Sequence, residues 1–181
     1  YYLPHPRRHL LPRPQQMSRF TERLVQIAVA EIGVQETGRT NRGALVDQYQ
    51  RATWLEEKDW GAWCAAFMCW CIREAMKAEG IKATKGFKRP QTAKAFDFEK
   101  WSLAQDSTTQ TRKPAGCDIQ RADLIIWSFS HISLALGPPS AAGLLQTVDG
   151  NSNAKGSRTG GMVCTPTRHI EQVRSRIRFT I

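Results

Sequence analysis

The stretch "AWCAAFMCWCI" (62–72) constrains this chain more than any other. It is apolar on every side of a helix, and "REAMKAEG" then turns amphipathic and stops at Gly80. The run is too short to cross a bilayer, and nowhere does the chain hold the ~18 consecutive apolar residues that a span needs. Such a segment folds only as the buried central helix of a globule, predicted here over 62–79, with the other elements laid around it. The chain's 181 residues suit one domain with a tail.

Three of the five cysteines lie in this stretch: Cys64, Cys69 and Cys71. Cys64 falls in the first turn, where unpaired backbone N–H groups and the positive end of the helix dipole gather. A thiolate, the reactive form of cysteine, is stabilised there. Cys69 and Cys71 lie deeper in the helix, lack that advantage and read as small core residues. Two positions apart on a helix they point in different directions, so they should not bridge. An odd total leaves at least one thiol free or paired between chains, and whether Cys117 and Cys164 join is open.

Ahead of this helix, "SRFTERLVQIAVAEIG" (18–33) has apolar residues at helical spacing, with Ser18 or Thr21 as cap. A shorter helix is expected over 43–53 and a weaker one over 90–104. Residues 1–17 hold four prolines, three arginines and no acid, and are expected to be a disordered or extended tail. They lack the continuous apolar core of a signal peptide. The texture then changes. "ADLIIWSF", "HISLALG", "GLLQTVDG", "GMVCTPT" and "VRSRIRFTI" are short and rich in β-branched and aliphatic residues, with Gly, Pro, Ser and Asn between them, and read as antiparallel strands. Helices first and strands second predict an α+β domain over 18–181, its N-terminal helices packed on a C-terminal antiparallel sheet. In the last strand Arg174, Arg176 and Arg178 share one face, a candidate basic patch or a merely solvated edge.

A nucleophilic cysteine needs a base. His5 and His9 lie in the tail, and His169 precedes the last strand. His131 opens "HISLAL" and shares a face with Ser133 and Ala135. Folding "HISLALG" against "GLLQTVDGN" through "PPSAA" brings His131 beside Asp149, Gly150 and Asn151. Asp149 and Asn151 are two apart, so both are expected on one face, and if the register puts His131 on that face either can orient the imidazole.

"WCAAFMCWC", "ADLIIW", "HISLAL" and "TVDGNSN", in this order, resemble a CHAP domain (cysteine, histidine-dependent amidohydrolase/peptidase), over about residues 20–181. The ending "GSRTGGMVCTPTRHIEQVRSRIRF" is also similar to the close of such domains. The resemblance implies a papain-like fold and a cysteine amidase or endopeptidase cutting an amide bond of peptidoglycan. Catalysis would rest on Cys64, His131, Asp149 and Asn151, with Asp149 favoured to orient the ring and Asn151 in support. Trp63 and Trp60 would line the cleft, or be buried structural tryptophans. The chain departs from the family in placing Ala122 where a glycine usually precedes Asp123. It also lacks an alternating acidic loop before Cys64, so no metal or other cofactor is expected.

A net charge of +10 and a pI of about 9.8 suit anionic partners. Peptidoglycan with its anionic polymers is one, reached in the target's periplasm or wall after lysis by a phage lysin or delivery of an antibacterial effector. An effector implies delivery machinery and an immunity protein that plugs the cleft. No zinc-finger or RNA-binding motif points to a specific nucleic acid, and no segment to membrane insertion. The alternative is a catalytically inactive basic module that binds cell wall or nucleic acid, the latter with a steep salt dependence.

Overall fold

A computed structural model describes residues 17–181; of the expected tail, 1–16 lie outside the described residues, and Met17 packs against the core. Ser18 caps the first helix, α1 (Arg19–Ala30), by accepting from the Thr21 amide at 3.2 Å. Helix α2 (Ala44–Gln50) follows. The central helix α3 (Cys64–Ala78) ends in a two-bond C-cap. The Ile81 amide donates to the Met76 carbonyl and the Gly80 amide to that of Lys77, with Gly80 at φ +65°. Its apolar first half is buried as its composition demands: Trp63 to Cys69, Cys71 and Ile72 are all core.

The expected helix over 90–104 shortens to α4 (Asp97–Leu103). Residues ahead of it spend their carbonyls on other segments. The Gln91 carbonyl accepts from the Trp54 amide, and the Thr92 carbonyl from the Cys69 thiol at 3.3 Å. That holds the segment extended along α3.

Among the described residues seven strands complete an α+β fold: β1 (Thr108–Arg112), β2 (Leu124–Trp127), β3 (His131–Ala135), β4 (Leu144–Ser152), β5 (Met162–Cys164), β6 (Thr167–His169) and β7 (Val173–Phe179). The sheet order is β1-β7-β2-β3-β4-β5, every pairing is antiparallel, and β6 also pairs with β4. Strand β1 carries no apolar alternation ("TTQTR") and exists by pairing with β7 at the sheet edge. The single strand expected over "GMVCTPT" is two. Pro166, with no N–H to give, breaks the ladder. β5 then pairs with the far end of β4, and β6 with its beginning.

Leu124, Ile126, Ile132, Leu134, Val148 and Ile177 face the helices in the main core. Ile125, Trp127, Ala135, Leu145 and Val173 form a second apolar cluster with Phe129 and Ile170. Helix α3 lies against β3 and β4. At Gly150 the approach is so close that an added Cβ would sit 2.6 Å from Phe67 Cβ, so no side chain fits there.

The basic patch of β7 is largely neutralised. Arg174 pairs with Glu99 at 3.1 Å, and Arg178 with Asp123 at 2.7 Å. Arg176 donates to the Thr109 hydroxyl at 3.2 Å. The buried face, Val173, Ser175, Ile177 and Phe179, alternates as expected. Ala122 stands at φ +70°, the left-handed conformation that favours glycine. Its amide and the Asp123 carbonyl both pair with Ala135, which holds the turn in place.

Candidate active site

Cys64 is the first residue of α3. Phe67 makes the helix's first backbone bond, to the Trp63 carbonyl at 2.9 Å, which leaves the amides before it free at the N-terminus. The sulfur sits where α3 meets the start of β3, among the backbone amides of Ile132 and Ala65 and the ring of His131. Cys64 is 6% exposed, and His131 and Asp149 are fully buried.

The His131 ring is held by its outer nitrogen. Nε2–H donates to Asp149 Oδ2 at 2.7 Å, and Asp149 Oδ1 accepts from the Thr147 hydroxyl at 2.6 Å. Phe129 stacks on the ring, centroids 6.1 Å apart and planes 20° apart. The other nitrogen, Nδ1, is buried with no protein hydrogen bond of ordinary geometry. With Nε2 committed to Asp149, it is the nitrogen left to exchange a proton with the Cys64 thiol, which lies close enough to couple to the ring.

The charges reinforce one another. Burial by itself would push the Cys64 thiol up, but the charge of the neighbouring His131, with the Ile132 and Ala65 amides, holds it below the ordinary thiol value. Burial would also lower His131. The Cys64 thiolate and the Asp149 carboxylate overcome that and raise it to about 9. Asp149 itself, although buried, is held below the usual carboxylate range by His131 and Arg168. The arrangement supports a thiolate–imidazolium pair at neutral pH, oriented by a carboxylate.

Of the acid and the amide expected beside His131, only Asp149 reaches the ring. Asn151 stands at φ +54°, and the β4–β5 register shifts between Asp149 and Ser152. The bulge removes the strict alternation that would have put both side chains on one face. Asn151 Oδ1 accepts from the Gly161 amide at 3.3 Å, while its Nδ2 is buried and without a partner. Asn151, Ala62, Glu36, Arg39 and Asn41 line a cleft of about 400 Å³, with Ala62 two residues before Cys64 and Asn151 two residues after Asp149.

Trp63 is fully buried against Tyr49 and donates Nε1–H to Glu36 at 3.2 Å, so it belongs to the core rather than to an open cleft. Trp60 is partly exposed and lies under two guanidinium groups, of Arg42 at 5.0 Å and Arg51 at 5.5 Å from its ring centre. All five cysteines are free; Cys117 is exposed and Cys164 buried. Among the described residues no group of three or more His, Cys, Asp or Glu side chains is placed to hold a metal ion.

Two neighbours of Asp149 were not anticipated. Thr147 is two residues away on the same strand, a spacing visible in the sequence. Arg168 reaches Asp149 from β6 at 2.7 Å, and nothing local announces it, because the contact depends on β6 pairing with β4 from further along the chain.

No family model and no curated protein matches the chain. Among solved structures it superposes on the crystal structure of the wild-type endolysin LysIME-EF1, with a TM-score of 0.52 and 16% sequence identity. The match covers 91% of this chain and 65% of that one, so this chain spans less than two thirds of the endolysin's length, and what the two have in common is the fold.

Proposed function

We propose that this chain is a cysteine-dependent peptidoglycan hydrolase of the CHAP, papain-like kind. It would cut an amide bond of the wall, as an N-acetylmuramoyl-L-alanine amidase or a peptide endopeptidase. The observation that carries this is the buried chain of Cys64, His131 and Asp149 at the N-terminus of an apolar helix. The likeness in fold to a protein named an endolysin supports the choice of substrate, as does the net charge of +10 against an anionic wall.

The Cys64 thiolate attacks the amide carbonyl carbon, and the carbonyl π-electrons move to oxygen. The free amides at the start of α3 face that developing negative charge. As the tetrahedral species collapses, the C–N bond breaks, and His131 gives its Nδ1 proton to the departing amine. A thioester is left on Cys64. His131, now neutral, takes a proton from water, hydroxide adds to the thioester, and the acid product leaves as the thiolate and imidazolium reform. Asp149 keeps Nε2–H donated throughout, so Nδ1 is always the nitrogen that works. Asn151, with an unpartnered Nδ2 beside the cleft, supports the substrate carbonyl rather than the ring.

The site of action is a target's periplasm or wall, reached by lysis or delivery; an effector would bring an immunity protein as partner. The test is clearance of a purified cell-wall suspension. Wild-type protein should clear it, and alkylation or Cys64→Ala should abolish clearance with the fold intact. A folded Cys64→Ala protein that still clears the walls would overturn the mechanism. Wall or nucleic-acid binding without clearance by wild type would leave a binding module instead.

A further inference from the structure

Arg168 has no part in the chemistry above, yet it is almost fully buried, with its side chain 5% exposed. Its Nη2 lies 2.7 Å from Asp149 Oδ2, the same oxygen that accepts from His131 Nε2 at 2.7 Å. Nη2 also donates to the Ser152 hydroxyl and the Gly156 carbonyl, both at 3.2 Å. The guanidinium lies over Trp127, 5.1 Å from the ring centre, and near Phe129 at 5.7 Å, and Phe129 in turn stacks on His131. Nη1 has no hydrogen-bond partner, so the aromatic faces beside it are what the cation has on that side.

A buried cation costs several kcal/mol in lost solvation unless it is paired. Packing alone would be met by an apolar side chain between Leu145, which faces Arg168 across β4 and β6, and Trp127. We infer that Arg168 is a positioning residue for the site: it clamps Asp149 in the rotamer that meets His131, and it takes up part of the carboxylate's charge so that the ring is not over-stabilised as imidazolium. This rests on the function proposed above, since it concerns the same site.

Among the described residues the titratable and charged groups facing the His131–Asp149 pair are few. They are Cys64 from α3, Arg168 on β6 and Cys164 on β5, whose thiol is raised by burial and by Asp149. Of these described groups Arg168 alone is a permanent cation. Removing it should therefore favour the imidazolium, because a cation near a titrating imidazole opposes its protonation. A merely structural arginine would affect stability and turnover without moving that equilibrium in this direction.

The test is an NMR titration of the His131 ring in ¹⁵N-histidine-labelled full-length protein, which needs no substrate and so stands whatever the wall assay shows. In Arg168→Gln the His131 midpoint should move upward, by about a tenfold gain in proton affinity. In Arg168→Lys the charge is kept and the midpoint should stay near that of the parent. Wall clearance by the Lys variant should fall about tenfold, because the planar fork and its stacking are lost. An unmoved or lowered midpoint in folded Arg168→Gln would overturn the inference, as would a Lys variant that titrates like Gln. Should Arg168→Gln fail to fold, the Lys variant decides alone: a shifted midpoint, or full clearance, would count against the role. Failure of wild type to clear walls at all, with the midpoints moving as expected, would strike the substrate assignment and leave the positioning role standing.

Discussion

Cys64 and Cys69 lie on one helix, five residues apart, both buried and both thiols, and their chemistry diverges completely. Cys69 donates its S–H to the Thr92 carbonyl, and burial pushes its thiol up to about 12. Cys71, at the middle of the helix, is also raised well above the ordinary thiol value by burial, with Glu31 adding to it. Cys64 meets the same burial and still ends below the ordinary thiol value, because it stands at the helix start with His131 across from it. Burial therefore does not make a cysteine inert or reactive. The outcome depends on what replaces water: a carbonyl acceptor keeps the proton on sulfur, whereas free amides and an imidazole draw it off.

The largest effect should come from erasing the difference at its source. Cys64→Ala is expected to remove clearance of a wall suspension altogether. Site-resolved alkylation should sharpen the contrast: at pH 7, iodoacetamide should label Cys64 at least tenfold faster than Cys69 or Cys71. Mass spectrometry of the digested protein would show it, with the exposed Cys117 counted separately. Equal labelling of the three helix positions would end the comparison.

Asp149→Asn comes next. It keeps the shape and removes the charge that supports the imidazolium, so turnover should fall about 10²-fold. The pH profile should also change. In the parent, activity should appear as pH rises through the lowered Cys64 value, when the thiolate forms. It should be lost as pH rises through about 9, when His131 gives up its proton. Without the carboxylate, His131 binds its proton less tightly and the upper limit moves down. A weaker imidazolium in turn stabilises the thiolate less, so the lower limit moves up. Clearance rates from pH 4 to 10 would check it: a window that fails to narrow would mean Asp149 does not act through the ring.

Asn151→Ala should cost less, about tenfold in turnover, without displacing either limit, since Asn151 does not touch the ring. If Asn151→Ala cost more than Asp149→Asn in well-folded proteins, the orienting role would pass to the amide.

Much of this was legible in the sequence, and the misses have physical causes. The central helix, its cap at Gly80 and the antiparallel partnership of β3 with β4 follow from apolar periodicity and a short polar loop, both local signals. The juxtaposition of His131 with Asp149 came out because two neighbouring strands fix it. Separating Asp149 from Asn151 was beyond alternation, since a single left-handed residue in β4 undoes the period of two. β1 was invisible because threonine and glutamine carry no hydrophobic pattern, and Arg168 because its contact depends on the long-range pairing of β6 with β4. The basic face of β7 misled for a similar reason: its partners, Glu99 and Asp123, come from far along the chain.

The smallest expected effects belong to the two inert thiols, and they test the comparison from its other side. Cys69 and Cys71 are fully buried in the main core, and the hydrogen bonds of His131 and Asp149 go to other residues. Cys69→Ala deletes one buried sulfur and leaves the Thr92 carbonyl without the thiol's weak donor, which should cost about 1–2 kcal/mol of stability. Cys71→Ser buries a hydroxyl where a thiol had been and should cost about 1–3 kcal/mol. Both should show as lower denaturation midpoints in urea with unchanged slope. Specific clearance rates, measured well below the midpoint and scaled to folded protein, should stay within about twofold of wild type. A large loss of rate in either variant at unchanged stability would show that reactivity is shared along the helix, and the sharp division between Cys64 and its two neighbours would fail.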